Sequence, residues 1–235
     1  GTDAAHKLAI LMSVAFGVPV PFESIYREGI DRLTPDDIGF ARDFGYRLKL
    51  LAISRNRGGR IEARVHPSMV PKNHIMANVN EAYNAIYVEG DFAGPSLYYG
   101  IGAGRRPTGS AVASDIISLA RQMKSGADKL MPPLAHARAG NDIRIQGIED
   151  LITPYYFRFS AVDKPGVLSK ISGVLGENNI SISSVIQKGR GEKGAVPIVM
   201  LTHEAREKDV MKALNEMGGL DILMDRTMMI RVEQG

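Results

Sequence analysis

The sequence predicts an α+β fold in two parts. The first observation is a pair of segments, residues 46–54 and 61–67, that alternate apolar and polar side chains around a loop containing Gly58 and Gly59. Such a pair is typical of a β-hairpin, and helix-like segments precede and follow it. The second observation is the order strand, helix, strand, strand, helix, strand over residues 155–232. We therefore expect a mixed sheet with helices, followed by a separate βαββαβ layer.

The helices and remaining strands of the first part follow from caps, breakers and periodicity. Residues 2–16 lack a helix breaker, and Thr34 with Pro35 marks a helix start. The predicted helices are residues 2–16, 22–30, 34–44 and 111–123, and two further strands are residues 84–90 and 96–100. The order of the strands in the sheet does not follow from the sequence.

Composition excludes several classes of protein. The 235 residues are 44% hydrophobic and 23% charged, which is ordinary for a globular chain, and no apolar run is long enough to span a membrane. The absence of cysteine excludes disulfides and thiolate metal sites and fits a reducing cytoplasm. The net charge of +3 is spread evenly, unlike the basic stripe of a nucleic-acid binder. The five histidines lack metal-ligand spacing, so we expect no metal.

The first helix carries a charged pair at its start. Asp3 and Lys7 are four residues apart and therefore share one face of the helix. A solvated surface pair is one explanation. Beyond Lys7, however, the helix is apolar nearly all round, which predicts a buried helix whose polar entrance faces a cleft.

A glycine-dense segment, residues 100–110 (GIGAGRRPTGS), lies between a predicted strand and a predicted helix. Glycines there expose backbone N–H groups to an anionic ligand, but they also permit a tight connection, and the pattern alone leaves both open. The spacing matches neither a Rossmann fingerprint nor a Walker loop. Gly189, Gly191 and Gly194 fit a Rossmann fingerprint by letter, but a strand follows them where a helix is required, which predicts a hairpin loop.

These two segments together resemble the homoserine dehydrogenases, which interconvert aspartate semialdehyde and homoserine with NADP or NAD. Residues 1–8 (GTDAAHKL) resemble the family's catalytic helix, and residues 100–116 resemble the loop over the nicotinamide end of the cofactor. The resemblance implies that Lys7 is the acid/base and that Asp3 holds Lys7 or binds the substrate's ammonium group. A lysine desolvated in a closed cleft has a pKa drawn toward neutrality, which suits this role. The implied cofactor-binding residues are Gly100, Gly102, Ala103, Gly104 and Thr108, and we expect them to share a pocket with Asp3 and Lys7.

The second part resembles an ACT domain, an amino-acid-sensing module of ferredoxin-like fold. Residues 163–168 (DKPGVL) resemble its signature turn, in which Gly166 leaves amide donors free for an effector carboxylate, although a tight turn alone would also use Pro-Gly. The resemblance implies feedback by an amino acid, with threonine as the expected effector, at an interface between paired ACT domains. It therefore also implies a homo-dimer or tetramer. The implied effector-binding residues are Asp163, Pro165, Gly166, Val167, Leu168 and Gln187.

The resemblance also implies how the chain is divided. We expect a substrate-binding, catalytic and dimerisation domain at residues 1–138, a linker at 139–153 and the ACT domain at 154–235. A nucleotide-binding domain would precede residue 1, so the chain alone is expected to bind NADP weakly and to be inactive. The alternative is a non-enzymatic amino-acid sensor whose first domain only dimerises.

Overall fold

A computed structural model describes residues 1–126, 144–187 and 195–234. These residues form the predicted α+β fold, with a mixed sheet and a βαββαβ unit. No helix in this part of the chain has the length and apolar character needed to cross a membrane. The glycine cluster at residues 189–194 lies outside the described residues.

The first part begins with a helix and is built around one long hairpin. Its elements are α1 (Thr2–Phe16), a 3₁₀ turn (Phe22–Ser24), β1 (Tyr26–Arg27), α2 (Pro35–Asp43), β2 (Tyr46–Arg57), β3 (Arg60–Pro71), a 3₁₀ turn (Ile75–Asn78), β4 (Tyr83–Gly90), β5 (Gly94–Ile101) and α3 (Arg105–Ser125). The predicted hairpin is confirmed, because β2 and β3 pair antiparallel from Tyr46↔Pro71 to Arg57↔Arg60. β4 and β5 form a second, separate hairpin.

The second part contains the predicted βαββαβ order with two additional short strands. Its elements are β6 (Arg144–Ile145), a 3₁₀ turn (Ile148–Asp150), β7 (Ile152–Thr153), β8 (Tyr155–Val162), α4 (Val167–Glu177), β9 (Ile182–Gln187), β10 (Ala195–Thr202), β11 (Ala205–Arg206), α5 (Glu207–Gly218) and β12 (Met228–Val232). The strands lie in the order β12-β8-β10-β9. One face packs on α4 and α5 through a core that includes Phe157, Ile171 and Val210.

The sheets of the two parts are joined into one. The edge of β3 that faces away from β2 pairs in parallel with three short segments in turn: β6 at Arg60, β1 at Arg64 and β12 at Ser68. Since β12 also pairs with β8, the eight-stranded sheet runs from the first part into the second. Of the predicted linker, residues 139–143 lie outside the described part, and residues 144–153 include β6 on β3 and β7 on β11.

One local expectation was wrong, and a second is not met by the described residues. Residues 22–30 form a single 3₁₀ turn and then β1, because the edge of β3 recruits Tyr26 and Arg27 as a strand. The helix α1 is covered on one side only, where Ala5, Leu8 and Met12 pack against β3, and apolar side chains on its other sides are exposed. Its apolar character therefore does not reflect burial by the described residues.

The helix α2 lies across the joined sheet and fixes the two parts together. Its Ala41 packs with Tyr156 and Val199 of the second part. Asp37 is fully buried and accepts hydrogen bonds from Tyr156 Oη at 3.0 Å and from Arg158 Nε at 2.6 Å. Asp37 also forms a capping box with Thr34, the N-cap residue of α2. Burial alone would raise the pKa of Asp37, but the hydrogen bonds from Arg158 and Thr34 outweigh it and lower the pKa.

We predict that Asp37→Asn lowers the free energy of unfolding by about 1.5–3 kcal/mol near neutral pH, because charged hydrogen bonds to Arg158 are lost. The folded-state pKa lies below the usual 3.8, so the carboxylate stabilises the fold above that pH and loses its effect as the pH falls through the folded-state pKa. The difference from wild type should therefore shrink in acid. Urea unfolding at about pH 7 and about pH 3 measures this, with the exposed neighbour Asp36→Asn as control. A difference that persists undiminished in acid would contradict the assignment.

Candidate active site and effector site

The Asp3–Lys7 pair forms as the helical spacing predicts. Lys7 Nζ donates to Asp3 Oδ2 at 2.8 Å, and this hydrogen bond lowers the pKa of Asp3. The side chains are 83% and 64% exposed for Asp3 and Lys7 respectively. An exposed i,i+4 pair contributes little to stability, and the described residues do not supply the closed, desolvating cleft expected around Lys7.

The start of α1 is held closely against the sheet. A Cβ atom on Gly1 would lie 2.9 Å from Val65 Cγ1 and 3.3 Å from the carbonyl oxygen of Glu28, so a larger residue would require Val65 or this backbone to shift. One turn later, the His6 ring stacks on Phe22 with 4.1 Å between centroids. The position of Asp3 and Lys7 is thus set by contacts with β3 and with the segment around β1.

The glycine loop has different requirements at each of its glycines. A Cβ on Gly102 would lie 2.5 Å from Asn84 Cγ, so Gly102 permits the close approach of Asn84 from the neighbouring strand. Gly104 has a φ of 134°, which favours glycine, and it forms the N-cap of α3. Gly100 has neither restriction: a Cβ there would meet nothing within 4 Å. Ala103 and Thr108 lie beside these glycines and are exposed.

The glycine loop and the Asp3–Lys7 pair are not linked by polar contacts. Among the described residues, no hydrogen bond or ion pair joins Asp3 or Lys7 to residues 100–108. A cavity of about 510 Å³ contains neither group, since it lies between β2 and the second part, lined by residues including Tyr46, Ser183 and His203. A shared pocket therefore remains a prediction. Nor does the described part of the chain contain a group of three His, Asp or Glu side chains arranged for a metal ion.

The predicted effector turn connects β8 to α4. Gly166 is the N-cap of α4 with a φ of 86°, and Asp163, Pro165 and Leu168 are exposed around it, whereas Val167 is buried in the core. Gln187 ends β9 and is exposed at the same end of the sheet, where β8 ends and β10 begins. The turn and Gln187 are therefore placed at one end of the βαββαβ unit.

A buried network of charges joins the two parts, and sequence analysis missed it. Arg231 of β12 is 1% exposed and donates to both carboxylate oxygens of Glu207, to Glu28 Oε2 at 2.7 Å and to Tyr26 Oη at 3.1 Å. Burial alone would lower the pKa of Arg231, but the carboxylates of Glu207 and Glu28 raise it. The guanidinium is thus held ionised between α5 of the second part and β1 of the first.

The network continues along β3. Arg64 donates to Glu62 and to Glu233, and Arg64 Nη1 lies 2.7 Å from His66 Nε2. Burial, together with the charges of Arg231 and Arg64, lowers the pKa of His66 well below its usual value, so the ring is neutral. One signal was present in the sequence: Glu62, Arg64, His66 and Ser68 alternate on one face of β3, and Arg231 and Glu233 alternate in β12.

We predict opposite effects on stability for two alanine substitutions in the βαββαβ unit, at the N-cap of α4 (Gly166) and in the middle of α4 (Gly173). Gly166→Ala should lower the free energy of unfolding by about 1–2 kcal/mol, because a φ of 86° is unfavourable for any side chain. Gly173→Ala, in the exposed middle of α4 with no atom within 4 Å of its Cβ, should raise it by about 0.5–1 kcal/mol. Thermal and urea unfolding measure both. Equal effects would show that the turn relaxes when Gly166 is replaced.

Comparison with known proteins identifies both parts. Residues 1–117 match the family model described as Homoserine dehydrogenase, and residues 155–219 match that of the ACT domain. The chain is 42% identical to a homoserine dehydrogenase of Pseudomonas aeruginosa over 100% of its own length and 41% identical to one of Neisseria gonorrhoeae over 99%. It covers 54% of each of these relatives.

Solved structures give the same result. The crystal structure of a homoserine dehydrogenase from Thiobacillus denitrificans superimposes with a TM-score of 0.83 at 41% identity, over 98% of this chain and 52% of that one. The chain thus spans about half the length of the relatives it matches. It belongs to the homoserine dehydrogenase family, as a C-terminal region that ends in an ACT domain.

Proposed function

We propose that the chain is the substrate-binding and regulatory half of an enzyme that interconverts aspartate semialdehyde and homoserine in the cytoplasm with NADP or NAD. The observation that carries this proposal is the Asp3–Lys7 pair within a segment that matches the family model. The cofactor, when bound, supplies the hydride chemistry. Lys7 Nζ exchanges the proton with the substrate's C4 oxygen, and Asp3 orients Lys7 or binds the substrate's ammonium group.

The exposed surface of α3 supports the proposal that the enzyme has a further half. Val112, Ile116, Leu119 and Met123 form a stripe along this helix, and all four are more than half exposed. A 21-residue helix with an apolar stripe and no buried residue requires cover from another structure. The chain covers about half of its relatives' length, so the other half of the enzyme is available for this role.

Three features of the glycine loop support a contact with one end of a nicotinamide cofactor. Its main chain is exposed, Gly100 has space around it, and the helix that follows has no acidic residue in its first turn. Arg105 and Arg106 occupy that turn instead, although positive charge there is unfavourable unless an anion lies nearby. We propose that Gly100, Gly102, Ala103, Gly104 and Thr108 contact the cofactor once the enzyme is complete.

The proposal is tested by expressing the chain with the sequence encoded upstream of residue 1. The complete protein should oxidise homoserine with NADP or NAD, whereas the 235 residues alone should show no turnover. In the complete protein Lys7→Met should lower kcat by about 10²–10⁴, since proton transfer is lost. Absorbance of the reduced nicotinamide measures both.

The matched control is Lys212→Met, which removes an exposed lysine from another i,i+4 pair, 3.7 Å from Glu216 on α5. It should leave kcat unchanged. Turnover by the 235 residues alone, or full activity of Lys7→Met, would contradict the proposal. An inactive complete protein that still binds an amino acid would favour the sensor alternative.

We further propose that the ACT domain binds an amino acid, threonine above all, through Asp163, Pro165, Gly166, Val167 and Leu168, with Gln187 contributing from a paired ACT domain. The exposure of the turn and of Gln187 at one end of the sheet supports this. The same pairing would make the enzyme a homo-dimer or tetramer.

Isothermal titration of threonine into the chain should give a saturable heat that Gly166→Ala reduces and Gly173→Ala does not. The reason is that a Cβ at Gly166 alters the amide donors at the start of α4, whereas Gly173 lies on the helix away from them. Serine, methionine and isoleucine are titrated in parallel. No heat with any of the four would leave the domain as a dimerisation element.

A further inference from the structure

The segment between α1 and α2 contacts the ACT domain on one of its faces and leads to the start of α1 on the other. Tyr26 and Glu28 point to the face of the sheet that carries Arg231 and bind its guanidinium. Arg27, between them, points to the other face, where its guanidinium carbon lies 4.0 Å from the centre of the Phe22 ring. Alternation along a strand places these side chains on opposite faces, so a shift of the segment moves both contacts.

On the α1 side, two contacts reach the charged pair. The Phe22 ring that holds Arg27 also stacks on His6, which precedes Lys7 in the chain. The carbonyl oxygen of Glu28 borders Gly1, two residues before Asp3, and the N–H of Glu28 donates to Val65 O at 2.8 Å. The segment is therefore fixed on β3 and touches α1 on both sides of Asp3.

On the ACT side, Arg231 is held by the second part itself. Its Nε donates to Glu207 Oε2 at 2.9 Å, and Glu207 also accepts from Tyr155 Oη at 2.8 Å. Tyr155 begins β8, the strand whose other end leads into the Asp163–Gly166 turn. A single guanidinium thus links β8, α5 and β12 to Glu28.

We propose that Arg231 is a positioning residue: through Glu28 and the Arg27–Phe22–His6 stack, it fixes the start of α1 and hence the Asp3–Lys7 pair. The catalytic importance of this pair rests on the proposed function, but the mechanical link does not. The charge on Glu28 is the contact through which β12 of the ACT domain holds the catalytic helix.

Two substitutions test the link without emptying the buried site. Glu28→Gln removes the negative charge that Arg231 binds in the first part, but it leaves the two hydrogen bonds from Arg231 to Glu207 intact. The Glu28 side chain is 27% exposed, so the substitution is not made at a fully buried position. Arg27→Ala removes the stack on Phe22 from an exposed position. Both should fold, because neither leaves a buried charge without a partner.

Hydrogen–deuterium exchange of the 235-residue chain is the measurement. Both variants should raise exchange several-fold in peptides covering the first turns of α1, with peptides from α5 unchanged. The control is Arg206→Gln, which breaks the exposed pair with Asp150. This control should leave the exchange of the α1 peptides and of the α5 peptides unchanged.

Unchanged exchange in α1 for both variants would overturn the proposal. An equal increase in α1 and α5 would also overturn it, since that shows a general loss of stability.

In the complete enzyme, Glu28→Gln should lower kcat and leave the KM for the nucleotide unchanged. A complete wild-type enzyme without activity would refute the proposed function, whereas the exchange result would stand on its own.

Discussion

The structure depends on the ionic contacts that seat β12 against β3. Only two residue pairs, Arg231↔Ser68 and Val232↔Met69, join these strands, which is too few for backbone hydrogen bonds to fix their register. A shift of one residue would turn Arg231 toward the apolar cluster under α2 that contains Val232 and Met69. A desolvated guanidinium without carboxylates there is strongly unfavourable, which disfavours the shifted register.

This role differs from a simple gain in stability. Removing Arg231, Glu207 and Glu233 from water has a large free-energy cost, and well-packed apolar side chains of similar size could stabilise the same site as well or better. What the charges provide is a unique pairing between two parts that each have a core of their own. The result is that the βαββαβ unit and α1 belong to one continuous sheet structure, because β3 pairs with β12 at its edge and packs against α1 on one face.

The sequence predicted the elements that are defined by local patterns. Alternation identified β2 and β3, Thr34 and Pro35 identified the start of α2, and the order of the last six elements identified the ferredoxin-like unit. What it could not predict depends on distant partners. β1 exists only because β3 offers an open edge, and Glu28 meets Arg231 across 203 positions. The polar alternation in β3 was visible, but a pattern within one strand does not reveal that both of its faces are buried.

Of the candidate site, the contact between Asp3 and Lys7 was predicted correctly, whereas the expected enclosure is not supplied by the described residues. The spacing of Asp3 and Lys7 is a local property of a helix, so their contact followed from the sequence. The burial expected from the apolar side chains of α1 depends on what covers Ile10, Leu11 and Val14, and none of the described residues does. The same holds for the stripe on α3. Two apolar helix surfaces and one charged pair are thus exposed in a chain that spans about half the length of its relatives. Contacts with β3 and with the segment around β1 nevertheless fix the start of α1 at Gly1 and His6, so the hydrogen bond between Asp3 and Lys7 forms without that cover.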